Sequence, residues 1–112
     1  MSRTTAFFNP LVFLFVMLLT LIICASAAKA QEPASLYKTK CAMCHGADGK
    51  GDTPVGKSTG VRSFASPEVQ KESDADLIQI TKKGKGKMPA YENKLTEPQI
   101  KDLVAYVRQL GK

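Results

Sequence analysis

The sequence predicts an all-α domain, on three observations. Side chains recur at helical spacing at Tyr37, Cys41 and Cys44, and again at Ile100, Leu103, Val104, Val107 and Leu110. Helix-capping signals stand at Ser73 and Thr96, each ahead of an apolar stretch. No βαβ pattern surrounds the cysteines. A chain of 112 residues leaves room for one domain at most.

The first part of the chain reads as a leader. Met1 to Asn9 carries Arg3 as its only charge, Leu11 to Cys24 is apolar and uncharged, and Ala25 to Ala30 is rich in small residues. This order is that of a secretory signal peptide spanning 1–30. Ala28-Lys29-Ala30 is the best cleavage site, starting the mature chain at Gln31, with Ala25-Ser26-Ala27 second. An uncleaved leader is the alternative: Leu11 to Ala28 has eighteen uncharged residues, just enough to span a membrane as an anchor. Cys24 follows the bulky Ile23, which does not suit a lipidation site, and it reads as one more apolar leader residue.

Residues 31–112 form the domain, with fourteen Lys or Arg against ten Asp or Glu. Gln31 and Glu32 read as a lead-in, and Pro33 suits the first turn of a helix that carries Tyr37, Cys41 and Cys44 along one side. Gly46 to Asp52 is a loop; its Gly and Asp content resembles calcium sites without EF-hand spacing, so a solvated turn is expected. Thr53 to Ser66 reads as irregular, and Pro67 to Lys71 as a single helical turn. Ser73 with Asp76 starts a helix from Asp74 to about Lys82, which Gly84 and Gly86 end. Thr96 caps the last helix, with Pro98 in its first turn and Gln99 at the box position. This gives three to four short helices.

The chemistry lies in Cys41-Ala42-Met43-Cys44-His45, the attachment signature of c-type haem. Two thiols three positions apart share one helix face, where each can form a thioether with one haem vinyl group. His45 then supplies a neutral ring nitrogen as proximal iron ligand. A structural zinc needs four ligands, and after the leader only Cys41, Cys44 and His45 are available. A redox dithiol would call for a βαβ setting, and a plain disulfide would leave His45 a coincidence. A domain this short also needs a staple, and a covalently held apolar haem is one.

Met88 is the candidate distal ligand. Met43 sits between the cysteines and cannot reach the opposite side of the haem, and the mature chain has no other methionine and no second histidine. Pro89 is expected to hold the loop extended so that the thioether points at the iron. Core filling is the alternative for Met88, against which stand its glycine and lysine neighbours. Pro54 has two readings: its carbonyl accepts the His45 ring N–H, or it is a turn proline.

The chain resembles a class I c-type cytochrome of the small bacterial monohaem kind, and is similar to the haem c domains of oxidase and dehydrogenase subunits. The resemblance rests on Cys41-Ala42-Met43-Cys44-His45, on Gly86-Lys87-Met88-Pro89-Ala90-Tyr91 and on Leu103-Val104-Ala105-Tyr106, and covers essentially all of 31–112. It implies the cytochrome c fold, with helices wrapped around one haem and the first and last crossing, Tyr37 packing near Leu103 and Tyr106. The family usually has glycine at that crossing; here Pro33 stands there, so the close contact is expected nearer Ala34. Pro54 lies where the resemblance implies a proline whose carbonyl bonds the proximal histidine.

With His45 and Met88 both on iron, no position remains for a substrate, which points to an electron carrier rather than an enzyme. Thioether ligation raises the potential relative to bis-histidine haem. Lys82, Lys83, Lys85 and Lys87 precede the ligand loop closely enough that at least some are expected to rim the haem crevice, steering a redox partner with an acidic docking surface. Ordinary solvated helix-end lysines are the alternative. Nucleic acid is not expected, since no aromatic platform accompanies the basic residues. The expected setting is a periplasmic or secreted monomer, shuttling between a donor and a terminal acceptor. A dedicated haem subunit of a larger oxidoreductase is the second reading, and a haem sensor or peroxidase-like enzyme the third.

Overall fold

A computed structural model describes residues 9–112, without the side chains of 21–31. Residues 1–8 and the side chains of Cys24 and of both candidate cleavage sites lie outside that description. Two units emerge, one ending at Gln31 and the other running from Glu32 to Lys112. In the first, Leu11 to Leu19 form an unbroken run of exposed large apolar side chains. Among the described residues no helix is long and apolar enough to cross a membrane. The anchor reading of the leader depends on residues 21–28, whose side chains are outside the description.

The described elements are helices: α1 (Pro10–Lys40), α2 (Ala42–His45), α3 (Pro54–Thr59), α4 (Pro67–Gln70), α5 (Asp74–Lys83) and α6 (Glu97–Leu110). Gln31 and Glu32 are not a lead-in, because α1 passes through them with Pro33 inside it. An interior proline loses one ladder bond and crowds the carbonyl four residues back, at a cost of about 3 kcal/mol, which the strong helix preference of the alanine-rich stretch before it helps to offset.

α5 and α6 begin as their sequences dictate. Ser73 and Thr96 each accept the backbone N–H three residues on, while Asp76 and Gln99 reach back to the cap N–H. The segment read as irregular holds α3, capped by Thr53, whose hydroxyl accepts the Gly56 N–H at 2.8 Å, with Pro54 in the first turn. That Thr-Pro pair is itself a helix start, and two glycines nearby obscured it.

The core consists of Tyr37 from α1, Phe64, Leu95, and Ile100, Leu103 and Val104 from α6. Each buried aliphatic contributes about 1.5–3 kcal/mol, whereas exposed ion pairs such as Lys57–Asp52 add at most about 1 kcal/mol. Apolar burial therefore dominates. Arg108 fastens α6 to the α4–α5 link, donating to Asp74 at 2.9 Å and to the carbonyls of Val69 and Glu72.

Tyr37 packs in one cluster with Leu103, and its ring centroid lies 5.3 Å from that of Tyr106. The first and last helices thus meet as the resemblance implies. An open hollow beside that contact is lined by Ala34, Ser35, Tyr37, Lys38, Ala47 and Tyr106.

Candidate functional site

Cys41, Cys44 and His45 do not lie on one unbroken helix. α1 stops at Lys40, Cys41 departs to φ −118°, and α2 is a separate turn. The Cys44 N–H bonds the Cys41 carbonyl at 3.2 Å instead of reaching Lys40. The Lys40 carbonyl instead accepts the Tyr91 hydroxyl at 3.0 Å. The break leaves both thiols half-buried and free, with Met43 between them 73% exposed. Burial first, and Cys44 second, push the Cys41 thiol up to about 11. At neutral pH it is therefore an uncharged thiol and not the thiolate a metal ion needs. Among the described residues no three His, Cys, Asp or Glu side chains converge on a metal position.

Backbone contacts fix this turn. The buried Tyr37 hydroxyl donates to the Gly46 carbonyl at 2.7 Å, the Thr53 hydroxyl to that of Cys44 at 3.1 Å, and the Gly51 N–H to that of His45 at 2.8 Å. α3 lies so close to α2 that a Cβ on Gly56 would overlap the carbonyl oxygens of Cys44 and Gly51. Only glycine fits.

His45 has its Nδ1 buried without a hydrogen-bond partner. Burial holds its pKa below the ordinary histidine value, so the ring is neutral and keeps a lone pair for a metal. The carbonyl of Pro54 does not accept that ring N–H: Pro54 is the first residue of α3, where it serves the helix start. Phe64 instead stacks on the imidazole, with centroids 4.8 Å apart and planes at 22°. Sequence reasoning missed Phe64. Its signal was being the lone phenylalanine after the leader, in a stretch otherwise poor in large apolar residues.

Met88 is half-buried and sits on a tight turn rather than an extended loop. Lys85 and Met88 exchange both backbone hydrogen bonds, at 3.2 and 3.0 Å, across Gly86 and Lys87. Gly86 has φ 58° and Lys87 does not have positive φ, the pattern of a II′ turn. Gly84 is needed beneath it, because a Cβ there would come within 2.6 Å of the Met88 carbonyl oxygen.

Tyr91 links this turn to the cysteines. Besides its hydroxyl bond to Lys40, its phenol is held above the ordinary tyrosine range by burial first and then by the nearness of Cys41 and Cys44, which would repel a phenolate once ionised. Both thiols are therefore within electrostatic reach. Of the four lysines before Met88, Lys83 is paired with Glu92 at 2.6 Å and Lys82 with Glu97 at 3.8 Å. Lys85 and Lys87, both exposed, make no such pair, and Lys94 lies over the Tyr91 ring at 5.6 Å. Among the described residues, Lys85 and Lys87 are thus the two of the four without an acidic partner.

The donor set fits a covalently attached haem: two free, half-buried thiols, then a neutral imidazole whose Nδ1 is buried. The comparisons agree. A family model described as cytochrome c oxidase, cbb3-type, subunit III matches residues 28–107. The chain is 34% identical over 87 residues to the cbb3-type cytochrome c oxidase subunit CcoP of Azospirillum brasilense, covering 76% of this chain and 30% of that one. It is 32% identical over 91 residues to cytochrome c6 of Thermosynechococcus vestitus, covering 81% of this chain and 79% of that one. A solved structure, the KustC0563 c-type cytochrome, superposes with a TM-score of 0.65 at 38% identity, covering 70% of this chain and 96% of that one. The chain therefore spans about a third of the CcoP relative's length and most of the cytochrome c6 relative's.

Proposed function

The chain belongs to the c-type cytochrome family matched by that model, and from this we propose that it is a one-electron carrier, working between a respiratory or dehydrogenase donor and a terminal acceptor. Membership implies covalently bound haem c, whose iron supplies one-electron chemistry. Cys41 and Cys44 would hold the group through thioethers formed as each S–H adds across one vinyl, and His45 and Met88 would offer its iron a ring nitrogen and a thioether sulfur. The observation that carries this reading is the neutral His45 with Nδ1 sealed, placed directly after two free thiols.

Residues 1–30 act as a removable leader, with 31–112 as the working domain in the periplasm. Lys85 and Lys87, beside the ligand turn and free of acidic partners, attract a redox partner with an acidic surface. A second reading makes the chain a haem c subunit of a larger oxidoreductase, favoured by its likeness to CcoP. The extent of the cytochrome c6 match, which covers most of both chains, favours the shuttle.

Carbon monoxide tests the closed site. The reduced protein is expected not to bind it at neutral pH, and Met88→Ala to bind it at once, keep its haem, lose the thioether-to-iron absorption band and show a lower potential. Rapid binding by the parent would instead indicate a sensor or enzyme.

A further inference from the structure

We propose that Met43 is the apolar centre of the docking surface, with Lys40, Lys85 and Lys87 around it, and that the partner it fits is a redox protein whose contact patch is apolar and ringed by carboxylates. The proposal rests on the reading of the chain as an electron carrier.

Within residues 32–112 the exposed large apolar side chains are Met43, at 73%, and Val55, at 37%. Met43 has no inward place to go. Successive residues of a helical turn stand about 100° apart, so Met43 points away from the side that Cys41 and Cys44 share. A group joined to both sulfurs leaves it in solvent.

A single apolar side chain in water is ordinary; the surroundings set this one apart. From Pro33 to Ala47 the chain has no Asp or Glu, and from Thr81 to Tyr91 it again has none. The Tyr91 hydroxyl, donating to the Lys40 carbonyl at 3.0 Å, brings these two acid-free stretches together. Lys40 is exposed at that junction and, like Lys85 and Lys87, makes no ion pair among the described residues. Met43 follows it by three positions. The surface thus has an apolar centre and a cationic rim.

Charge complementarity makes the partner's rim carboxylate, while the dry centre of a protein contact is apolar and enriched in methionine. Methionine suits a carrier for a second reason. Its unbranched, polarisable side chain repacks against differently shaped surfaces, as a protein that meets a donor and then an acceptor requires. Met43 is also the chain neighbour of Cys44, so a partner seated on it stands beside a sulfur that holds the haem.

The test uses holoprotein from a host that attaches haem c, with a second copy of the protein as the probe. Electron exchange between its ferric and ferrous forms is read from proton line widths in mixtures of the two. Two copies share the apolar centre but repel through the rim, and in about 1 M salt that repulsion is screened beyond about 3 Å. The rate then reads the apolar contact. Met43→Gln, which leaves the charge unchanged, is expected to lower it about fivefold, and Met43→Leu to restore it, both with the parent's potential and unfolding midpoint. The rim is read with ferricyanide at low salt, where Lys40→Gln is expected to slow oxidation about twofold. A Met43→Gln exchange rate equal to the parent's overturns the proposal, as does a Lys40→Gln oxidation rate equal to the parent's. Failure of the carrier reading looks different: the parent's own ferric and ferrous forms would then not exchange electrons, whatever stands at position 43.

Discussion

The Tyr91 hydroxyl donates to the Lys40 carbonyl at 3.0 Å, joining the turn that carries Met88 to the last residue of α1 before the cysteines. It does so because the Cys44 N–H, which would take that carbonyl in a continuous helix, bonds to Cys41 instead. One helix break thus opens the cysteine turn and creates the acceptor that draws the distal turn to it. Tyr91→Phe is expected to cost about 1 kcal/mol in denaturant unfolding, and to speed replacement of Met88 by added imidazole, followed as loss of the thioether-to-iron band. Unchanged imidazole kinetics would mean that the bond does not hold the ligand turn.

Tyr37 carries a pH dependence of stability. Burial, and then the charges of Cys41, Tyr106 and Asp48, raise its phenol above the ordinary value of 10. Above pH 10 the unfolded chain releases a proton that the folded one retains, so stability is full below 10 and falls as pH rises beyond it. Unfolding midpoints of Tyr37→Phe are expected to be lower at neutral pH, for want of the bond to Gly46, and flatter between pH 9 and about 11. A parent whose midpoint does not decline over that interval contradicts this.

Gly56→Ala places a methyl against the carbonyls of Cys44 and Gly51, both of them backbone and unable to swing aside. A loss of about 1–3 kcal/mol is expected from such overpacking, together with a lower yield of haem-loaded protein. Gly60→Ala is the comparison, since a Cβ there meets nothing; its φ of 71° makes the residual cost one of backbone strain alone. Equal haem loading in the two variants would show that the α2–α3 approach is not needed for attachment.

Much of this was legible in the residues. Capping boxes at Ser73 and Thr96 mark α5 and α6 because cap chemistry is local, needing only residues three apart. The cysteine and histidine spacing is local too. What could not be read depends on distant partners: the carbonyl left free by the break at Cys41 is taken by Tyr91, 51 positions from Lys40. The stack on His45 likewise needs a phenylalanine that sequence spacing does not connect to it. Of the two readings of Pro54, the structure shows the local one, a helix start, and no bond from its carbonyl to His45.

Lys85→Glu with Lys87→Glu is expected to slow oxidation by ferricyanide, an anion, about tenfold at low ionic strength, with the gap closing as salt shortens the screening length. Lys82→Gln with Lys83→Gln is expected to matter less, since Glu97 and Glu92 already face those charges. Stopped-flow rates across a salt series check both. The reverse ranking would move the docking surface away from the ligand turn.

The central claim is that Cys41, Cys44 and His45 hold one haem c that Met88 closes from the other side. The mass and visible spectrum of the protein, expressed in a host able to attach haem c, test it most directly. The predicted result is a mass greater than the polypeptide by one haem, unchanged by acid-acetone extraction, with a low-spin reduced spectrum and a thioether-to-iron band in the oxidised form. A colourless protein weighing no more than its amino acids contradicts the claim.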